Sequence, residues 1–385
     1  MRGNERGEVT MSAKGRLASL DAVRGFDMFF IMGGEELVCA VAALFGCADF
    51  GTRFGHVPWH GLQFMDTVFP MFLFLAGVSF PFSVAKSRER GLGPRAIALK
   101  ALRRGLTLFV LGLAYGGFLR TFDFANFRIW SVLGRIGLAW MVAAWLYLLA
   151  GARMRAVVAG ALLVATTLLT VFTLAPDAAS VAERLGDAAS ATDPFSVAGN
   201  LGCWLDRALT GGHCYTESFD PEGFAGIPCA IVTAMLGMFA GEIVRSPRWD
   251  AGRKTLLLTG FGGALALAGC ALSWVFPINK ALWSPSFALV VGGYSAILFA
   301  AFHWIIDVRG WTKWAFFFKV IGMNSITIYL LQTVFDIHSG SNFLFGGLAR
   351  IVPGAAGEIV ASLGYIAVCW LILLFLYRKQ TFLKV

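Results

Sequence analysis

The stretch GHVPWHGLQFMDTVFP, residues 55–70, sets two histidines, a tryptophan and an aspartate directly ahead of a long apolar run. Histidine exchanges protons near neutral pH, and a carboxylate can orient its ring, so His56 and Asp66 are residue types suited to general acid–base work. Asp66 also falls in the first turns of an expected helix, where a carboxylate complements the helix dipole; capping alone would account for it. His60 and Trp59 share the loop.

Other polar groups sit where apolar residues are expected. The run LDAVRGFDMFFIMGGEELVCAVAALFG carries Asp27, Glu35 and Glu36. A carboxylate facing lipid is costly, so these side chains are expected to face the bundle interior or a watery cavity. Eight residues separate Asp27 from Glu35, about 12 Å along a continuous helix and within one broad face. An interhelical hydrogen bond or a salt bridge to Arg135 is the structural alternative, more for Asp27 than for Glu35. Asp220 and Glu222 in SFDPEGFAG, and Asn279, Lys280 and Trp283 in FPINKALWSPS, flank further apolar runs. Asn324, Ser325, Thr327 and Gln332 place amides and hydroxyls within the segment 316–335, where interhelical hydrogen bonds are the default role.

These groups need elements to position them. With 57% hydrophobic and 14% charged residues over 385 positions and a mean hydropathy of +0.70, the chain has too few polar side chains to cover a soluble globule. An all-α polytopic bundle of about ten transmembrane helices is expected. Its spans centre near 25–46, 63–85, 104–119, 129–150, 156–175, 223–244, 256–275, 286–306, 316–335 and 356–377. The formal charge of +9 is a topology signal. With the N-terminus inside, 24 of the 32 Lys and Arg residues fall on the cytoplasmic side, Arg53, Arg120, Arg128, Arg184, Arg207, Lys280 and Arg350 fall outside, and Arg135 lies within a helix, which argues against a nucleic-acid partner. Residues 1–20 lack the apolar core of a signal peptide and read as a cytoplasmic tail. Residues 21–385 form the membrane core, in which 176–222 is an external cap segment. Cys203 and Cys214 lie in that segment, where a disulfide is an option and Cys47 a competitor. No nucleotide loop, dinucleotide fingerprint, zinc spacing or nucleophile elbow is present in the sequence, so no metal is expected.

Several of these stretches, in order, resemble the heparan-alpha-glucosaminide N-acetyltransferase family of transmembrane acyltransferases. RLASLDAVRGFDM resembles the family's opening motif, and HVPWHGLQFMDTVFPMFLFLAG its H-x-x-W-x-G-L-x-x-x-D-x-x-F-P motif; FDPEG, NKALWSPS, GMNSITIY and LYRKQTFLKV follow. The resemblance spans nearly the whole chain. It implies acetyl transfer from cytoplasmic acetyl-CoA to a glucosamine amine across the membrane, with His56 at the position of the catalytic histidine. Glu35 stands where the family's lysosomal member has Asn, a departure from the family pattern. A homodimer is a further implication, and a bacterial inner membrane with both termini cytoplasmic is the expected location.

On this reading His56 is the base or transient acetyl carrier, with Asp66 or Glu35 orienting it. The anionic end of acetyl-CoA is expected at the cytoplasmic basic cluster, with Arg24, Arg95, Arg103 and Arg104, and with Arg135 and Asn324 as further donor-binding residues. The acceptor, an amino sugar or glycan, is expected among Asp27, Trp59, His60, Asp220, Glu222, Asn279, Lys280 and Trp283. The competing expectation is a secondary transporter of a sugar-like solute, with Asp27, Glu35 and Asp66 as ion sites.

Overall fold

The computed structural model describes residues 11–12, 16–116, 128–211 and 213–383. Most of the 1–20 tail, and Arg120 of the basic residues assigned to the outer side, lie outside the described residues. Apart from a two-residue antiparallel pairing of Met11–Ser12 with Arg16–Leu17, the regular structure is helical.

The chain opens with α1 (Ala18–Phe29), a π-helical turn (Phe30–Gly34) and α2 (Glu35–Leu44). The short α3 (Ala48–Phe54) and an irregular loop lead into α4 (Phe64–Glu89) and α5 (Pro94–Tyr115). Then come α6 (Val132–Leu149) and α7 (Ala152–Phe172), followed by a cap that holds α8 (Ala178–Leu185) and α9 (Leu201–Thr210). The second half comprises α10 (Ile227–Arg245), α11 (Ala251–Leu272), α12 (Pro285–Phe302), α13 (Ala315–Gly322), α14 (Ser325–Val334), α15 (Ile337–Ile351) and α16 (Ala355–Arg378).

Among the described residues seven helices are long and apolar enough to cross a membrane, or eight if α13 and α14 are one broken span. The expected ten included two segments that do not meet that standard. One is α1–α2, which is interrupted and carries Asp27, Glu35 and Glu36. The other is α5, whose first half bears Arg95, Lys100, Arg103 and Arg104; the end of the expected span, 117–119, lies outside the described residues. The long apolar helices make this an integral membrane protein.

Helix α4 is the centre of the bundle and packs on α10 through small residues. A Cβ added at Gly77 would lie 2.2 Å from the Ala234 carbonyl oxygen, and one at Gly237 would lie 2.0 Å from that of Phe74. The glycines thus let two backbones touch. Two breaks depart from the expected continuous helices. Gly33 has φ +101°, a conformation that glycine adopts freely, and it separates Asp27 from Glu35 so that the common helical face does not form. At Met323–Asn324 the chain bends by 65°, so Asn324 stands at a helix break rather than inside a span.

Candidate active site

A single cavity of about 1410 Å3 runs beside α4. Its wall includes Asp66 near the start of that helix and Lys86 and Glu89 near its end. At 1.5 Å per residue this is on the order of 30–35 Å, comparable with a bilayer's hydrocarbon core.

One end is built on the loop before α4. The buried Asp66 divides its carboxylate between two tasks. Oδ2 accepts from the backbone N–H of Gln63 at 3.0 Å and of Val57 at 3.3 Å, which closes the loop onto the helix start. Oδ1 lies 2.7 Å from His56 Nδ1 and 3.3 Å from Lys280 Nζ. The capping role and the His-orienting role therefore coexist in one side chain. Asp66 is 1% exposed, whereas the His56 side chain is 53% exposed and reaches the cavity. With Nδ1 engaged, Nε2 is the ring nitrogen left for a reacting group.

Lys280 enters from the turn between α11 and α12, and its Nζ lies 3.0 Å from His56 Nδ1. That turn is locked by its own polar groups. Asn279 Oδ1 accepts from Leu282 N at 2.8 Å, and Asn279 N donates to Ser284 Oγ at 3.0 Å. Trp283, at φ +48°, is fully buried, and its indole N–H donates to Thr233 Oγ1 at 3.1 Å. Burial pushes the Lys280 ammonium below its ordinary range, and the Asp66 carboxylate only partly offsets it. Asn279 Nδ2 meets His60 Nδ1 at 3.2 Å, and Gly61 N donates to Ile278 O, so His60 and Asn279 tie the two loops together. Neither they nor Trp283 line the cavity.

The cap closes over this end. Trp59 Nε1 donates to the Phe195 carbonyl at 2.8 Å, and its ring packs edge-on to Phe219 at 4.9 Å. Glu222 lines the cavity, and Asp220 lies behind it. Both are ion-paired to Arg128, whose Nε donates to Asp220 Oδ2 at 2.6 Å. Burial lowers the Arg128 guanidinium, but the two carboxylates outweigh it and raise it above its ordinary range. Arg128 is a site residue that sequence reasoning placed only by side; two carboxylates two residues apart, with no cation near them in sequence, were the available signal. Cys203 and Cys214 are free thiols.

Glu35, just after the Gly33 break, is within electrostatic reach of His56 and Lys280. No hydrogen bond joins it to the pair among the described residues. Asp27 is buried in protein, with Oδ2 unpartnered among the described residues, and is not on the cavity wall. The expected common face of Asp27 and Glu35 is therefore not formed, because the π-turn redirects the chain between them.

The other end of the cavity is basic. Arg24, Lys86, Arg104, Arg245 and Lys254 line it; sequence reasoning had singled out the first and third. Arg24 pairs with Asp21 at 3.6 Å and donates to Ser79 Oγ on α4. Arg104 lies over the Trp140 ring at 4.5 Å, and its Nε has no partner among the described residues. Arg103 is exposed and off the wall, as is Arg95. Arg135 is not part of this cluster. It is fully buried one turn into α6, donates to the Gly223 carbonyl at 2.6 Å and sits over Trp283 at 5.1 Å, near the His56 end. Between the two ends, Asn324 and Thr327 line the wall at the α13–α14 break. Asn324 is 2% exposed, and among the described residues neither its amide atoms nor the Thr327 hydroxyl has a partner.

No family model matches the chain. Among curated proteins, human heparan-alpha-glucosaminide N-acetyltransferase is 28% identical over 418 aligned residues, covering 96% of this chain and 60% of the human protein. The mouse protein of the same name is 26% identical over 435 aligned residues, covering 98% of this chain and 62% of its own length. The chain thus spans about three-fifths of the curated relatives it matches. This chain is similar to both over nearly its whole length.

Proposed function

We propose that the protein is a membrane acetyltransferase that moves an acetyl group from cytoplasmic acetyl-CoA to the amine of an amino sugar or glycan on the opposite side. The observation that carries this reading is one cavity with a His–Asp pair at one end and a basic cluster at the other. The relatives' name supports the class of reaction.

The anionic nucleotide end of the donor suits Arg24, Arg104 and Lys254, where charge-assisted hydrogen bonds are available. Its flexible arm carries two amides, and the unpartnered Asn324 amide and Thr327 hydroxyl offer mid-cavity partners for groups of that kind. The thioester then lies near His56. An ammonium must lose a proton before its nitrogen can attack, and Nε2 of His56 is the base in reach. With Nδ1–H donated to Asp66, Nε2 carries a lone pair. The same lone pair could instead accept the acetyl group transiently, a relay suited to donors and acceptors that approach from opposite sides. Trp59, Tyr215 and Phe219 give the acceptor end an aromatic wall, and Glu222 gives it a carboxylate for a cationic amine.

The 65° break at Asn324 favours a second reading, a secondary transporter, because interrupted helices hold substrates in such proteins. Binding of acetyl-CoA to the purified protein separates the two. A saturable thermal shift with acetyl-CoA, followed by acetylation of glucosamine, is expected of the enzyme. A shift with sugar or ion alone would favour the transporter.

A further inference from the structure

We infer that Lys280 is a positioning residue that keeps Asp66 from fixing His56 as an imidazolium, and so lets one imidazole serve first as base and then as acid. The inference rests on the acetyl-transfer reading of the site and extends it.

The geometry poses a choice. His56 Nδ1 has one in-plane hydrogen-bonding position, yet it faces Asp66 Oδ1 at 2.7 Å and Lys280 Nζ at 3.0 Å. If Nδ1 carries a hydrogen it donates to Asp66, and Nε2 is a base. If Nδ1 carries a lone pair it accepts from the Lys280 ammonium, and Nε2–H is a donor. Transfer starts from the first state, passes through the ring protonated at both nitrogens, and returns to the first state when Nε2 gives its proton up. The amine nitrogen bonds to the acetyl carbon, the carbon–sulfur bond breaks, and the amine proton passes to Nε2 and then to the departing thiolate sulfur. A His held only by a buried carboxylate would keep its proton as a stabilised imidazolium. The Lys280 ammonium, 3.3 Å from the same carboxylate oxygen, counters that field and allows release.

The other charges facing the pair do not supply this effect. Glu35 on α2 and Glu222 beside the cap are both carboxylates, and Arg128 is taken up by Asp220 and Glu222. The rigid Asn279–Ser284 turn holds Lys280 in place.

The test reads the His56 proton without requiring turnover. Diethylpyrocarbonate acylates neutral imidazole, and the half-exposed His56 ring is accessible to it. The rate of His56 modification, followed by peptide mass spectrometry across pH, reports its ionisation in the wild type, Lys280→Met and Lys280→Arg. Loss of the neighbouring cation is expected to move the midpoint up by about one pH unit in Lys280→Met, and Lys280→Arg is expected to stay near wild type. In turnover, the acid limb of kcat/KM for Lys280→Met should move the same way, with kcat down about tenfold and acceptor KM little changed. An unmoved or lowered midpoint in Lys280→Met overturns the inference, as does a Lys280→Arg midpoint shifted equally. A raised acceptor KM with an unmoved profile also overturns it and makes Lys280 a substrate-binding residue. A midpoint shift in Lys280→Met, with no acetyl transfer by the wild type, would refute the proposed reaction while leaving the control of His56 standing.

Discussion

Removing the imidazole of His56 should separate chemistry from donor binding. His56→Ala is expected to slow acetyl transfer about 100- to 10,000-fold, the usual worth of a general base. Acetyl-CoA binding should stay near wild type, since the basic cluster lies at the far end of the cavity. Radiolabelled transfer and equilibrium binding on the same preparation check both halves. His60→Ala should be much milder, because His60 braces Asn279 and does not line the cavity. Asp66→Asn should be slow and less stable, since the carboxylate both orients His56 and accepts two backbone N–H groups. The pairing of His56 with Asp66 was legible because ten residues and one loop separate them. Lys280 was legible as a polar residue between apolar runs, but not as their partner: it stands 224 positions after His56, and only the folded turn brings them together.

At the scale of elements, hydropathy located the long helices because membrane burial demands continuous apolar runs. The breaks were harder to see. Gly33 and Gly34 signal close approach, but a glycine pair does not state that φ reaches +101° and redirects Glu35. At Met323–Asn324 the flanking residues are apolar enough to read as one span. Asn324→Ala is accordingly expected to weaken acetyl-CoA binding several-fold, with little effect on amine selectivity, as measured by donor and acceptor KM. The cap carries its own pH dependence. Burial pushes Asp206 on α9 up to about 7, against the lowering effects of Arg135 and the Phe224 N–H bond. A carboxyl with a folded pKa above its unfolded value favours folding when protonated. The cap is therefore most stable below the unfolded value, and that stability is lost as pH rises through about 7. Hydrogen exchange over 201–226 should speed up between pH 6 and pH 8, beyond the intrinsic rate, and Asp206→Asn should flatten that change.

For the whole molecule, the charge distribution visible in the sequence and the cavity visible in the fold converge on one arrangement. The basic residues that predicted a cytoplasmic face include Lys86, Arg104, Arg245 and Lys254, which line one end of the cavity, while His56 and Lys280 line the other. Composition alone could not show that one cavity joins them, because its wall is drawn from helices far apart in sequence, α1, α4 and α14 among them. The most direct measurement is vectorial transfer in proteoliposomes whose orientation is set by protease mapping. Labelled acetyl-CoA is confined to the face bearing Arg104, and glucosamine is supplied only at the face bearing His56. Acetylated glucosamine should accumulate on the His56 side with wild type and not with His56→Ala. Product formed only when donor and acceptor share a side, or at an undiminished rate in His56→Ala, would contradict the account.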